Sequence, residues 1–268
     1  MKIIDITFDL ETTSLSADAA ILQIGAVAWD SSSISNSPFF DFGEAKSKEK
    51  GFTTTDPDMR RKERCMYLRN LPLTGQFLAG CDIDKDTQCW WMQQDFNVKN
   101  LLLSNANKSV EASLTDFFVF IDEVCDRTNA DAFNLWCQGP DIDIAILKMA
   151  AKRFLNINPH DFPIAHTRFR DCRTVILTSG IEYMMNHAEE LNGLDAVSLT
   201  AKKADLYNEY IKDPNVVYKY LPPLPHEITD DAVPYSASLS HNALTDAITS
   251  SWNTWCVLQN YNPKNEAK

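Results

Sequence analysis

The first twelve residues alternate. Ile4, Ile6, Phe8 and Leu10 are apolar, and Asp5, Thr7, Asp9 and Glu11 fall between or beside them. A period of two predicts a strand with the two sets on opposite faces. This first element therefore aims two carboxylates, Asp9 and Glu11, the same way, roughly 7 Å apart along the backbone. After a polar turn from Thr12 to Ala20, "ILQIGAVAW" (21–29) predicts a second, central strand, and Phe39 to Phe42 a third that completes an antiparallel meander. From Glu44 to Asp86 the pattern dissolves into charge and predicts a solvated insertion or loop.

Periodicity returns with "DTQCWWMQQD", where Asp86 or Thr87 is placed to cap a short helix carrying Trp90 and Trp91. Val110, Leu114, Phe117, Phe118, Ile121, Val124 and Cys125 recur at helical spacing and predict an amphipathic helix over 109–127. "AFNLWCQ" (132–138) predicts a strand and Gly139-Pro140 a break. Ile142 to Leu155 then reads as a helix with Ala145, Ile146, Met149 and Ala150 inward. "IAHTRFRD" predicts another strand, "CRTVILTSG" a helix stopped at Gly180, and 183–212 further helix. Five prolines from Asp213 to Pro234 predict a surface crossing. The last helix, Asn242 to Leu258, carries Leu244, Ile248, Trp252 and Trp255 or Cys256 on one side. Strands first, then helix and strand in turn, predict an α/β fold in which helices flank a mixed sheet, as one domain over 1–268.

Composition narrows the chemistry. With 44% hydrophobic and 23% charged residues, the chain can bury a sizeable core. No run reaches the roughly 18 apolar residues of a membrane helix; the longest, Ala19 to Trp29, is interrupted by Gln23 and Gly25. The first residues, one Lys and then acids with no h-region, predict no secretion signal, and the seven cysteines form no C-x-x-C pair, which predicts reduced thiols in a cytoplasm. A net charge of −12 argues against broad electrostatic binding of nucleic acid. Capture of a chain end in a metal-loaded pocket remains compatible with that charge.

Two further acidic stretches join Asp9 and Glu11 as candidates. In "WCQGPDIDIAIL" a strand ends, the chain turns, and Asp141 and Asp143 enter a helix, where one acid suffices to offset the helix dipole. The pattern H-x-x-x-x-D occurs at His166 with Asp171, His226 with Asp231, and His241 with Asp246. The spacing alone does not choose among them. Only His241 stands at the mouth of a patterned helix with Asp246 one turn inside it.

Taken together, FDLETT, Gly139 with Asp143 and Leu147, and His241 with Asp246 resemble the DEDDh family of 3′→5′ exonucleases on the ribonuclease H-like fold. "CWWMQQ" and "RDCRT" (170–174) are similar to the phage exonuclease A group and to the nuclease domain of exodeoxyribonuclease VIII. The resemblance implies a sheet of three antiparallel strands followed by parallel ones. It also implies hydrolysis from the 3′ end of nucleic acid, single-stranded DNA favoured over RNA, with release of 5′-mononucleotides. By the same resemblance two Mg²⁺ or Mn²⁺ ions are held by Asp9, Glu11, Asp143 and Asp246, with Asp9 bridging them. The resemblance also implies that His241 is the general base, a role that suits an imidazole because it exchanges protons near neutral pH. Leu10, Thr12, Trp91 and Arg173 are the expected substrate contacts. The phage likeness implies work in the cytoplasm of an infected cell. Two other readings are open: a phosphodiesterase for nucleotides or very short oligonucleotides, and a catalytically silent binding module.

Overall fold

A strand buried on both faces belongs in the middle of a sheet, and β1 (Ile3–Thr12) takes that place. In the computed structural model, which describes residues 1–42, 57–103, 106–225, 228 and 241–260, it is the central strand of five. β2 (Ile21–Trp29) runs antiparallel on one side of it, followed outward by β3 (Met66–Asn70), also antiparallel to its neighbour. β4 (Ala132–Cys137) and β5 (Phe169–Asp171) run parallel on the other side, giving the order β3-β2-β1-β4-β5. This is the mixed α/β sheet that the resemblance implies.

Each face of β1 is covered by a different helix. Ile4, Ile6, Phe8 and Leu10 join the core beneath α5 (Val110–Thr128), with the rings of Phe8 and Phe117 5.8 Å apart. Ser109 caps α5 by accepting from the Ala112 N–H, and Asn129 ends it in the left-handed conformation that Asn tolerates. The opposite face, with Asp5, Thr7, Asp9 and Glu11, lies under the last helix, α9 (Ala243–Gln259). Leu244, Ala247 and Ile248 of α9 pack on Val27, Met66 and Leu68. Trp252, Trp255 and Cys256 pack with Trp29, Trp136 and Cys172. Two polar residues on this face are wholly structural. Asp5 accepts from the Trp136 indole (2.7 Å), the Asn134 amide (3.0 Å) and the Ser31 N–H (3.3 Å), while Thr7 accepts from the Trp29 indole at 2.9 Å.

Several expectations need correction. The third strand is β3 and not Phe39 to Phe42, of which only Phe39 makes a single bridge, to Trp29; Pro38 just before it lacks the N–H a strand would need. β2 is interior, one place from the centre. The supposed loop at 44–86 contains, from residue 57 on, α1 (Pro57–Glu63), β3 and α2 (Leu73–Leu78); residues 44–56 lie outside the described residues. Basic residues clustered in the last turn of α1 offset its dipole, which is why a charged stretch can be helical. The helix with the tryptophans, α3 (Lys85–Gln93), is capped by Asp84 and not by Asp86 or Thr87, since the Thr87 N–H donates to Asp84. It leads into α4 (Phe96–Leu103).

In α6 (Asp143–Leu155) the buried positions are Ile144, Ile146, Leu147, Ala150 and Ala151, so Ala145 and Met149 are only half-buried. The strand expected over "IAHTRFRD" shortens to β5 because His166–Arg168 coil into a 3₁₀ turn. α7 (Cys172–His187) runs straight through Gly180, whose missing side chain admits Val217; a Cβ there would lie 2.6 Å from Val217 Cγ2. The proline-rich crossing is anchored in the core by Val216 and Val217, following α8 (Ala196–Lys212). Residues 226, 227 and 229–234 of it lie outside the described residues.

Gly25 controls how α9 sits. A Cβ at this position would fall 2.0 Å from the Leu244 nitrogen and 2.2 Å from the Ala243 carbonyl carbon. The start of the last helix therefore rests directly on the backbone of β2. Gly25→Ala is expected to destabilise the fold by about 3 kcal/mol or more, because backbone cannot give way as a flexible side chain can. Gly75→Ala, in α2 with nothing within 4 Å of the added carbon, should leave stability unchanged or raise it by up to about 1 kcal/mol. Denaturant unfolding of the two variants checks the contrast.

Candidate active site

Asp9 pairs in register with Gly25, and Glu11 with Gln23. Because α9 begins on Gly25, its first turn stands over the carboxylate end of β1. Gln23, fully buried, holds it there: its side-chain carbonyl accepts from the Ala243 N–H at 2.9 Å, and its amide donates to Asn70 at 2.7 Å. Asn242 caps the same helix end by accepting from the Leu244 and Thr245 N–H groups. These contacts satisfy donors that a helix start leaves unpaired, and they present Asp246 to Glu11.

The fourth acid arrives from the other side of β1. β4 ends at Cys137, the chain turns through Gly139, and the Ile142 and Asp143 N–H groups both bond the Gly139 carbonyl at 2.8 and 2.9 Å. Asp143 thus opens α6 pointing at the sheet's carboxyl edge, where sites in α/β folds gather. Asp141, two residues earlier, is exposed. The structure brings Asp9, Glu11, Asp143, Asp246 and His241 together. One ligating atom from each of Glu11, His241 and Asp246 lies within 4.8 Å of the others.

The electrostatics report the same convergence. Burial, followed by the charges of Glu11, Asp143 and Asp246, pushes the Asp9 carboxyl well above its usual range. Burial and the neighbouring Asp246 push Glu11 up to about 8. Burial raises Asp143 to about 7, against the lowering charge of Arg173. Asp246 is also raised by burial, with the His241 imidazole working in the other direction. At an effective dielectric of 20, two carboxylates 5 Å apart repel by about 3 kcal/mol. Four together call for cationic compensation beyond one imidazole and one guanidinium. The donors are hard oxygens, a set that suits small divalent cations, so the residues fit the metal that the resemblance implies.

The expected substrate contacts divide. Thr12 lies at the site, its carbonyl accepting from the Trp91 indole at 2.9 Å. Trp91 is half-buried and Trp90 is 41% exposed, so neither belongs to the core. The exposed Arg173 opens α7, and its charge acts on Asp143. Asp171 is engaged as the α7 cap, by the Arg173 N–H at 3.0 Å and the Thr174 hydroxyl. Leu10 stands apart, because period two turns its side chain into the opposite core at 7% exposure; only its backbone borders the site. Gln23, Gly25 and Asn242 escaped the sequence reading. The first two left a trace, as the polar and glycine breaks in an otherwise apolar strand.

The fold is a mixed five-stranded sheet flanked by helices, with acids gathered near the carboxyl ends of β1 and β4. Residues 5–203 match the 3′-5′ exoribonuclease Rv2179c-like domain, and the chain belongs to that family. It is accordingly a 3′-5′ exonuclease by family, with nucleic acid as the substrate. A comparison with curated proteins finds no match. Among the described residues no helix is long and apolar enough to cross a membrane.

The raised carboxyls carry a sign. A folded-state pKa above the unfolded one means that the folded protein keeps protons the unfolded chain has released, so stability falls as pH rises between the two values. For Glu11 that window runs from 4.5 to about 8. In chelator, the melting temperature is expected to drop across this window, and less so in Glu11→Gln. Added Mn²⁺ or Mg²⁺ should restore it chiefly at the alkaline end. A flat profile without a cation effect would mean that the acids do not share a buried environment.

Proposed function

We propose that the chain is one exonuclease domain that removes nucleotides from the 3′ end of a single-stranded nucleic acid, with RNA as the first substrate to test. The single observation that carries this is the convergence of acids beside His241: Glu11, His241 and Asp246 offer ligand atoms within 4.8 Å of one another, and Asp9 feels the charges of Glu11, Asp143 and Asp246. RNA comes from the family description; single-stranded DNA, implied by the likeness to phage exonucleases, is the alternative. Asp9, Glu11, Asp143 and Asp246 would hold two Mg²⁺ or Mn²⁺ ions. When bound, such ions would offset the carboxylate charge, acidify the attacking water and stabilise charge on the phosphoryl group.

The protein's own groups do the rest. His241, beside Glu11 and Asp246, takes the proton from the attacking water, a role worth about 10² to 10⁴ in rate. Arg173 supplies positive charge next to Asp143, where the phosphate's negative oxygens must come to rest. Trp91, fastened to the Thr12 carbonyl, offers a ring to the terminal base, a stacking contact worth about 1 to 3 kcal/mol. Binding by the chain end also accommodates the net charge of −12, since no long basic groove is needed. The odd number of cysteines and the lack of a C-x-x-C pair are the ground for proposing a reducing, cytoplasmic setting.

Single-stranded RNA, single-stranded DNA and a dinucleotide, each labelled at the 5′ end and incubated with Mn²⁺, separate the readings. A ladder shortening from the 3′ end is expected with RNA; cleavage of the dinucleotide alone would favour a phosphodiesterase of short oligomers, and no cleavage a binding module. His241→Ala should keep the fold and metal binding but lose about 10²-fold or more in rate; near-normal turnover would remove His241 from its role. Asp143→Asn should abolish activity while Asp141→Asn leaves it. Trp91→Ala should weaken substrate affinity.

A further inference from the structure

His241 precedes the N-cap of α9, so no helical hydrogen bond directs its side chain. Its backbone is left-handed, with φ +67, a conformation uncommon for a residue bearing a Cβ. The backbone alone therefore leaves the imidazole direction open. An aromatic cluster closes it. The Trp90 ring meets the His241 ring at 4.7 Å and 85°, an edge-to-face contact, and Trp91 stands at 6.2 Å and 84°. Trp90 in turn meets Trp91 edge-to-face at 4.8 Å. Trp91 is tied through its indole N–H to Thr12, the residue after Glu11. The contacts link β1 through α3 to the residue before the α9 cap, where His241 stands beside Glu11 and Asp246. Trp90 is 41% exposed on a helix without a buried residue, so core packing does not explain it.

We propose that Trp90 is a positioning residue for His241, its indole holding the imidazole against Glu11 and Asp246. The proposal rests on the exonuclease reading and extends it by one residue. An edge-to-face pair is strong enough to change the population of one ring position by up to about tenfold. The expected effect is therefore on turnover and not on affinity.

The test compares Trp90→Ala and Trp90→Phe in wild-type and His241→Ala backgrounds, with the substrate cut best by the wild type. In the wild-type background, Trp90→Ala should lower kcat by about five- to tenfold with KM within about twofold, and Trp90→Phe should retain most of the rate. In the His241→Ala background, Trp90→Ala should change nothing further, because its effect runs through the imidazole. A rise in KM at constant kcat would place Trp90 on the substrate, and an equal loss in both backgrounds would make its role independent of His241; either overturns the proposal. Proton spectra give a readout free of activity. The His241 ring signals, assigned by their loss in His241→Ala, should lose their ring-current displacement in Trp90→Ala. If they do not move, the proposal fails even when hydrolysis is intact. If they move but the wild type hydrolyses nothing, the contact stands and the exonuclease reading is what fails.

Discussion

The seating of α9 on the bare backbone of Gly25 is the contact on which the site depends. A helix normally stands off a sheet by the thickness of its side chains. Here the absence of a single Cβ lets the first turn of α9 descend onto β2, opposite Asp9 in the ladder. Gln23, two residues away on the same face, hydrogen-bonds the lowered helix end, and Asn242 caps it. These contacts fix the helix start that brings Asp246 beside Glu11. The candidate site is therefore built by packing first and by chemistry second.

That packing forces an electrostatic conflict. β1 carries two kinds of polar residue on one face, and they differ in how they are compensated. Asp5 is buried but receives three donors, two of them from side chains of β4, so it acts as a fastener between strands. Asp9 and Glu11, further along, meet other acids, and burial and like charge raise both. The same strand thus passes from compensated to uncompensated acids between Asp5 and Asp9. Under the proposed function, cations at the open end of the sheet would relieve this repulsion and draw phosphate to the same place.

The parts of this arrangement carried by periodicity were legible in the sequence. The alternation over residues 4–11 and the apolar run at 21–29 predicted β1 and β2, and the helical spacing of 110–125 predicted α5. Asp143 stood out by its place after a strand and a Gly-Pro break, and His241 by the patterned helix behind it. What escaped reading was set by tertiary contact. β3 is five residues long and follows a charged stretch, and Met66, Tyr67 and Leu68 are buried in a row, so no period-two pattern registers. Gly180 reads as a helix stop but is instead a notch for Val217, a partner far along the chain. Gln23 and Gly25 were visible as interruptions, yet only the descent of α9 gives them meaning.

The central claim is that Asp9, Glu11, Asp143 and Asp246 form one cation-binding cage. Calorimetric titration of the chelator-stripped protein with Mn²⁺ at neutral pH tests it without any substrate. The account predicts saturable binding of about two ions per chain, lost in Asp9→Asn while the fold is retained. Failure of the wild type to bind, or equal binding by Asp9→Asn, would contradict it.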